Sequence, residues 1–166
     1  MARTLELPEP YAKALRLAGR RHDEGKRAER WQRAFNAPRD CIYAKTKGPI
    51  NQHLLDGYRH EFGSLPYVES DPEFQALPLD FQDIALDLVA SHHGGARPVI
   101  SIRGCEDAPP SALQARAREV ALRFARLQKR WGPWGLAWWE ALLRAADQQA
   151  SRENDAQAGA ESGEEI

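Results

Sequence analysis

Apolar positions recur at helical spacing along most of this chain. From Pro10 they fall at Tyr11, Ala14, Leu15 and Ala18, and His22 continues the same stripe. Pro8 and Pro10 suit the start of that helix, and Gly25 suits its end, where a residue without Cβ can turn the chain. A second helical piece is predicted over about residues 28–35, with Trp31 and Phe35 one turn apart. Residues 36–51 contain Pro38, Gly48 and Pro49 and show no period, so they read as loop. Residues 52–62 are weakly helical, with Leu54, Leu55, Tyr58 and Phe62 inward and with His53 and His60, seven apart, on nearly one face. Residues 66–78 read as a connection.

The stretch 79–92 is a strong helix: Phe81, Ile84, Ala85 and Leu88 form its stripe, and His92 takes the next position. Gly94, Gly95 and Pro98 stop it, and residues 94–110 read as loop with a short apolar run at 99–102. The clearest helix follows. Leu113, Ala117, Val120, Phe124, Leu127 and Trp131 are spaced 4, 3, 4, 3, 4, with Arg116, Arg118, Arg123, Arg126, Lys129 and Arg130 off the stripe. After Gly132-Pro133 a last helix runs over about 134–150, with Leu136, Trp139, Leu143 and Ala146 inward. The expected fold is all-α, a bundle of about five or six helices in one domain over 1–150.

Charge sharpens the domain boundary. Residues 151–166 carry five acids against Arg152, while the first 150 hold 22 basic and 19 acidic residues. The tail has almost nothing to bury and is expected to be disordered; the body is mildly basic. Cys41 and Cys105 suit neither a disulfide framework nor a zinc knuckle. With no apolar run approaching the ~18 residues of a membrane span and no signal-peptide pattern, the chain reads as soluble and cytoplasmic, with no membrane partner.

Four places offer metal-ligand side chains: His22-Asp23, His60, His92-His93 and Asp147. Imidazole and carboxylate suit Mn, Fe, Co, Ni, Zn or Mg. Adjacent residues on a helix point about 100° apart, so a doublet at a helix end can offer one side chain to each of two neighbouring ions, with Asp23 as the bridge. Two divalent ions roughly 3.5–4 Å apart polarise a phosphoryl group, activate water and stabilise the leaving oxygen. Lys26 would neutralise charge on the phosphate or the departing oxygen. Each residue alone has a plainer reading: His22 as a hydrogen-bonded core histidine, His60 as a surface histidine, His93 with Gly94-Gly95 as a helix stop, Asp147 as an i,i+3 partner of Arg144. The conjunction is what argues for a site, since these groups fall at element ends or core-facing positions, where unpartnered polar groups are costly.

His22-Asp23-Glu24-Gly25-Lys26 followed by Trp31-Gln32, then Tyr58-Arg59-His60-Glu61, then Val89-Ala90-Ser91-His92-His93-Gly94 with Arg97-Pro98, then Phe124-Ala125-Arg126-Leu127 with Trp131-Gly132, and finally the run from Leu136 to Arg144-Ala145-Ala146-Asp147 resemble one family in order and spacing. It is the HD superfamily of metal phosphohydrolases, and more narrowly the HD nuclease domain of the type I CRISPR-associated helicase-nuclease. The resemblance implies a divalent-metal-dependent endonuclease acting on single-stranded DNA in antiviral defence. It also implies a helicase module and an RNA-guided interference complex as partners. Residues matching the family's ligands are His22, Asp23, His60, His92, His93 and Asp147, with Asp23 and Lys26 catalytic. Candidates for contacting DNA are Arg116, Arg123, Arg126 and Arg130 on the basic helix and Lys45 and Lys47 in the long loop; a solvated helix face is the plainer reading of the arginines. The chain departs from the family in lacking a ligand histidine upstream of His22, in carrying Glu24 where an apolar residue is usual, and in containing no phosphate-binding loop of a helicase. It is therefore expected to be a piece of a longer polypeptide. Two alternatives remain open: an HD phosphohydrolase acting on nucleotides, and a catalytically impaired interaction module.

Overall fold

Three helices set the frame, and all three run the same way. The computed structural model describes residues 6–45, 48–94 and 108–161, with side chains through 154. Cys105, Arg97-Pro98 and the apolar run 99–102 lie outside the described residues. The first helix, α1 (Glu9–Arg21), buries Ala14, Leu15 and Ala18 of the stripe read from the sequence, together with Ala12 and Leu17, and leaves Tyr11 partly buried. A single 3-10 turn (Glu24–Arg27) and α2 (Glu29–Ala34) follow, then the long loop, then the short helices α3 (Gln52–Leu55), α4 (His60–Gly63), α5 (Leu65–Glu69) and α6 (Pro72–Gln75). The central helix, α7 (Leu79–Ser91), is buried at eight consecutive positions from Ile84 to Ser91. A helix that is buried on every side must be enclosed by others.

The last helical span, α8 (Pro110–Glu161), breaks at Gly132, whose backbone (φ 67°, ψ 170°) lies outside the helical region. A side chain would strain that conformation, and Pro133 starts the next helical arm without needing a backbone N–H. The arms are thus 110–131 and 133–161. Arg130 pairs with Asp80, and Arg126 with Asp83 at 2.9 Å, so the first arm runs antiparallel to α7. The second arm returns beside α1: Tyr11 stacks on Trp139 at 5.3 Å, and Asp147 reaches His22 at 3.3 Å. Tyr11 meets Phe81 edge-on at 4.8 Å and His22 meets His92 at 4.9 Å, so α1 and α7 are parallel too. The C-terminal ends of α1 and α7 therefore arrive at one place, alongside Asp147.

The described residues form an all-α bundle without strands. Differences from the sequence reading lie in short elements. The connection 66–78 contains most of α5 and all of α6, nucleated by Pro66 and Pro72 at first-turn positions and by Asp71, whose side chain accepts from Glu73 N–H. The span 52–62 is not one helix: Asp56 (φ 45°) and Gly57 (φ 73°) turn the chain in the left-handed region. His53 and His60 consequently share no face; His53 is exposed and His60 is 7 % exposed. The second arm of α8 continues to Glu161, past the boundary placed at residue 150. Extending an existing helix adds one hydrogen bond per residue without a new nucleation cost, so a tail free of proline can follow it.

Candidate metal centre

His22 is the residue immediately after α1, and His92 the residue immediately after α7; both serve as C-caps. Each turns its Nδ1 back to the carbonyl three residues earlier, His22 to Gly19 at 2.8 Å and His92 to Val89 at 2.7 Å. A carbonyl only accepts, so Nδ1 of each ring carries the proton and Nε2 is left with its lone pair. Those bonds satisfy carbonyls orphaned by the helix ends and lock the rings in place. The Nε2 atoms then point into the convergence of the two helix ends, whose partial negative charge favours a cation.

Asp23 sits in the middle. Its Oδ1 lies 3.3 Å from His60 Nε2 and 3.9 Å from His92 Nε2, and its Oδ2 lies 2.7 Å from Lys26 Nζ and 3.6 Å from His22 Nε2. The contact with His60 is close but not aligned as a hydrogen bond. Four buried atoms, His22 Nε2, Asp23 Oδ1, His60 Nε2 and His92 Nε2, have no hydrogen-bond partner among the described residues. Leaving one such group unpaired costs roughly 1–3 kcal/mol, and four in one spot call for a shared partner. Two overlapping sets have ligand atoms within 4.8 Å of one another and could hold a metal ion: His22, Asp23 and His92, and His60, His92 and His93. Asp147 adds an oxygen 3.3 Å from His22 Nε2, with a side chain 41 % exposed. The donor chemistry of nitrogens and carboxylates fits a divalent cation.

The six candidate ligands are thus brought together from four separate places: the end of α1, the start of α4, the end of α7, and the second arm of α8. Asp147 faces α1 rather than Arg144. A hollow of about 170 Å³ lined by His22, His92, His93, Asp147, Leu143, Arg144 and Gln148 opens from the site to solvent.

Electrostatics keep the ligands in their metal-ready forms. Burial alone would raise the Asp23 carboxyl, but His60, Lys26 and His22 together hold it well below the usual carboxylate range. Burial pushes His92 down to about 4, with its neighbours His93, His22 and His60 adding to the effect against the bond to Val89. A histidine whose folded pKa is depressed is neutral in both states above 6.5 and resists protonation only when folded. Its contribution is fully present above pH 6.5 and is lost as pH falls towards 4. In chelator, the chain is expected to lose about 3 kcal/mol between those limits from this group, the scale of a shift from 6.5 to about 4. Urea unfolding at pH 7 and pH 4.5 checks it; a His92→Gln variant should show a flatter dependence.

Several supporting residues escaped the sequence reading. Gly25 is not a left-handed helix stop: α1 ends at Arg21, and Gly25 lies in the 3-10 turn with its backbone pressed against α4. A Cβ there would meet His60 O at 2.1 Å and Ser64 N at 2.8 Å. Gly25 N–H donates to Ser64 Oγ at 2.8 Å, and that hydroxyl sits 2.7 Å from His22 O and 2.8 Å from His60 O. Tyr58 Oη donates to Gly25 O at 2.8 Å. This knot fixes His22 and His60 relative to each other. Glu61, 3 % exposed, lies between Arg59 (2.7 Å) and His60 Nδ1 (3.4 Å). Arg20 and Arg21 both reach Asp71, tying the end of α1 to α6. The signal available beforehand was slight: a serine one helical turn beyond His60.

The basic helix does not present a free cationic track. Arg123 is 4 % exposed and lies in the interior near Asp83, because it stands three residues after Val120 and four before Leu127, on the face those residues bury. A DNA-contacting role does not fit such a side chain. Arg116 pairs with Glu69 at 3.0 Å, Arg126 with Asp83 and Glu119, and Arg130 with Asp80. Lys45 is exposed and follows Ala44, which lines a hollow beside Asp23. Lys47 lies outside the described residues. No described helix is long and apolar enough to cross a membrane.

No family model, no curated protein and no solved structure matches the chain.

Proposed function

We propose that the chain is an HD-type phosphohydrolase that uses divalent metal to cleave phosphodiester bonds of single-stranded DNA in CRISPR interference. It would work in the cytoplasm beside a helicase module and an RNA-guided complex. The observation that carries the hydrolase reading is the convergence of four buried, unpartnered ligand atoms on Asp23. The substrate and partners rest on the resemblance of the motifs.

In this reading His22, His60, His92, His93 and Asp147 would hold metal, and so would Asp23, whose Oδ1 faces His60 and His92 and whose Oδ2 faces His22 and Lys26. His92 has one free nitrogen and so serves a single ion. Bound divalent ions, two of Mn, Ni, Co, Fe or Mg, would supply Lewis acidity to the phosphoryl group and lower the pKa of water. The chain's own residues do the rest. Nδ1 bonds at Gly19 and Val89 keep both cap rings oriented, which outer-shell partners typically strengthen by ~10–100-fold in metal affinity. Lys26, 17 % exposed and 5.7 Å over the Trp31 ring, holds a positive charge beside Asp23 where a phosphate oxygen or leaving group would gain charge.

Incubating the chain with circular single-stranded DNA and added Mn, Ni or Co tests the reading. Nicking that depends on metal and stops with chelator is the expected result. A chain that neither binds these ions in calorimetric titration nor cleaves DNA would falsify it.

A further inference from the structure

The proposed nuclease activity leaves open how a strand reaches Asp23, and the face on which it would travel is not the expected one. On α8, Arg116, Arg126 and Arg130 are answered by carboxylates of α5, α7 and α8 itself, which leaves Arg118 and Lys129 exposed. On the other side of the site, a hollow of about 190 Å³ beside Asp23 is walled by Arg20, Glu24, Lys26, Arg27, Ile42 and Ala44. A second hollow of about 520 Å³ shares Arg27 and Ile42 with it and adds Arg33, Arg39 and Cys41, with Glu29 as its one carboxylate. Because two walls are common to both, they form one trough running from Asp23 along α2.

The trough is built before any substrate arrives. Gln32 Nε2 donates to Lys26 O at 2.6 Å and to Tyr43 O at 3.0 Å, and its Oε1 accepts from Tyr43 N–H at 2.8 Å. Trp31 Nε1 donates to the same Tyr43 carbonyl at 3.1 Å. One amide and one indole thus strap the loop that carries Ile42 and Ala44 to the turn that carries Lys26. Their order, Trp31-Gln32 just after the metal doublet, is the part of the motif set that metal binding does not use.

Its chemistry suits an extended polyanion with apolar bases. Arg33 is 65 % exposed at the side chain, and its nearest carboxylate, Glu29, is 3.9 Å away. Arg39 is exposed and makes no ion pair among the described residues. Arg27 is 53 % exposed and pairs with Glu24 at 2.5 Å, keeping its outer face toward solvent. Ile42, 59 % exposed, offers an apolar wall between these cations and Asp23. Phosphate contacts from arginine with apolar or stacking contact to bases are what a single strand needs.

Resting on the nuclease reading, we infer that the single strand enters along this trough, with its phosphates on Arg27, Arg39 and Arg33 and a base against Ile42, and that α8 is not its track. A mononucleotide would occupy only the end at Asp23, so the outer arginines distinguish a strand from a nucleotide.

The test is fluorescence anisotropy with a labelled oligothymidylate of about 15 nucleotides, in chelator, across a salt series. Arg33→Glu/Arg39→Glu is expected to weaken binding at least ~tenfold at low salt and to flatten the salt slope by roughly 1.4, two phosphate contacts' worth. The charge-matched pair Arg118→Glu/Lys129→Glu, exposed on α8, should change affinity by less than about threefold. Circular dichroism confirms that both variants fold. Equal loss in the two variants, greater loss in the α8 pair, tighter binding of duplex than of single strand, or no binding by the unaltered chain would each overturn the trough. Mn titration of the unaltered chain, run alongside, separates the two readings. A chain that binds Mn while ignoring the trough substitutions loses only the trough, and one that binds no Mn loses the nuclease reading.

Discussion

Replacing Asp23 by alanine should remove metal-dependent cleavage, with turnover falling on the order of 10³-fold or more. A single preorganised electrostatic contact already accounts for ~10²–10³, and Asp23 is in the position to touch both ions. The argument is geometric: one of its oxygens faces His60 and His92, the other faces His22 and Lys26. His92 belongs to both overlapping ligand sets but has one free nitrogen, whereas Asp23 offers an oxygen on each side. Asp147→Ala should cost less, because that side chain is 41 % exposed and approaches only His22. Calorimetric Mn titration separates the cases: Asp23→Ala should lose the titration, and Asp147→Ala should weaken it. Equal metal affinity in Asp23→Ala and the unaltered chain would remove Asp23 from the centre of the site. The variant should remain folded, since the losses are a hydrogen bond to Lys26 and attraction to rings held elsewhere, His22 and His92 by backbone carbonyls and His60 beside Glu61.

Gly25→Ala should be the most damaging single methyl in the chain, at about 4 kcal/mol or more, the range reserved for severe overpacking. The added Cβ would lie 2.1 Å from His60 O, 2.8 Å from Ser64 N and 2.9 Å from Gly63 C. All three are backbone atoms of α4 and its cap, so no rotamer change relieves the clash. The turn must separate from α4, which breaks the Gly25–Ser64 bond and moves His60 away from Asp23. For a domain of this size about 1 kcal/mol corresponds to ~2–4 °C in melting temperature, so a drop of roughly 8–16 °C should appear in a thermal melt. Mn affinity should fall with it. A variant that melts like the unaltered chain would show that the turn does not bear on α4.

Gly25 also shows where sequence reading reaches its limit. Its position after His22-Asp23 suggested a helix stop, since local backbone freedom is the only role for glycine that a sequence displays. Its actual role is clearance for a segment nearly forty residues away. The same limit explains His53 and His60, whose spacing matched one helix face until Asp56 and Gly57 adopted left-handed backbone. It explains Arg123 as well, since a long charged side chain beside an apolar stripe looks the same in sequence whether solvent or Asp83 receives it. By contrast, the stripes of α1, α7 and both arms of α8 were legible, because burial of one helix face imposes a period that each segment carries alone. The break at Gly132-Pro133 was legible for a similar reason: both residues act on their own backbone.

The sequence by itself determined an all-α chain, the long helices, the break between the arms of α8, and the identity of six side chains with metal-ligand chemistry. Each is a local property, set by periodicity, backbone restriction or functional group. Only the tertiary structure decided that α1, α7 and the second arm of α8 run parallel, so that His22, His92 and Asp147 come to the same end. It alone decided that Asp23 stands between His22, His60 and His92 with their free nitrogens unpartnered. It also decided that Arg116, Arg126 and Arg130 of α8 meet carboxylates while Arg33 and Arg39 beside α2 line a trough. Those outcomes depend on which surfaces face one another, and that is settled by packing of the whole core rather than by any segment within it.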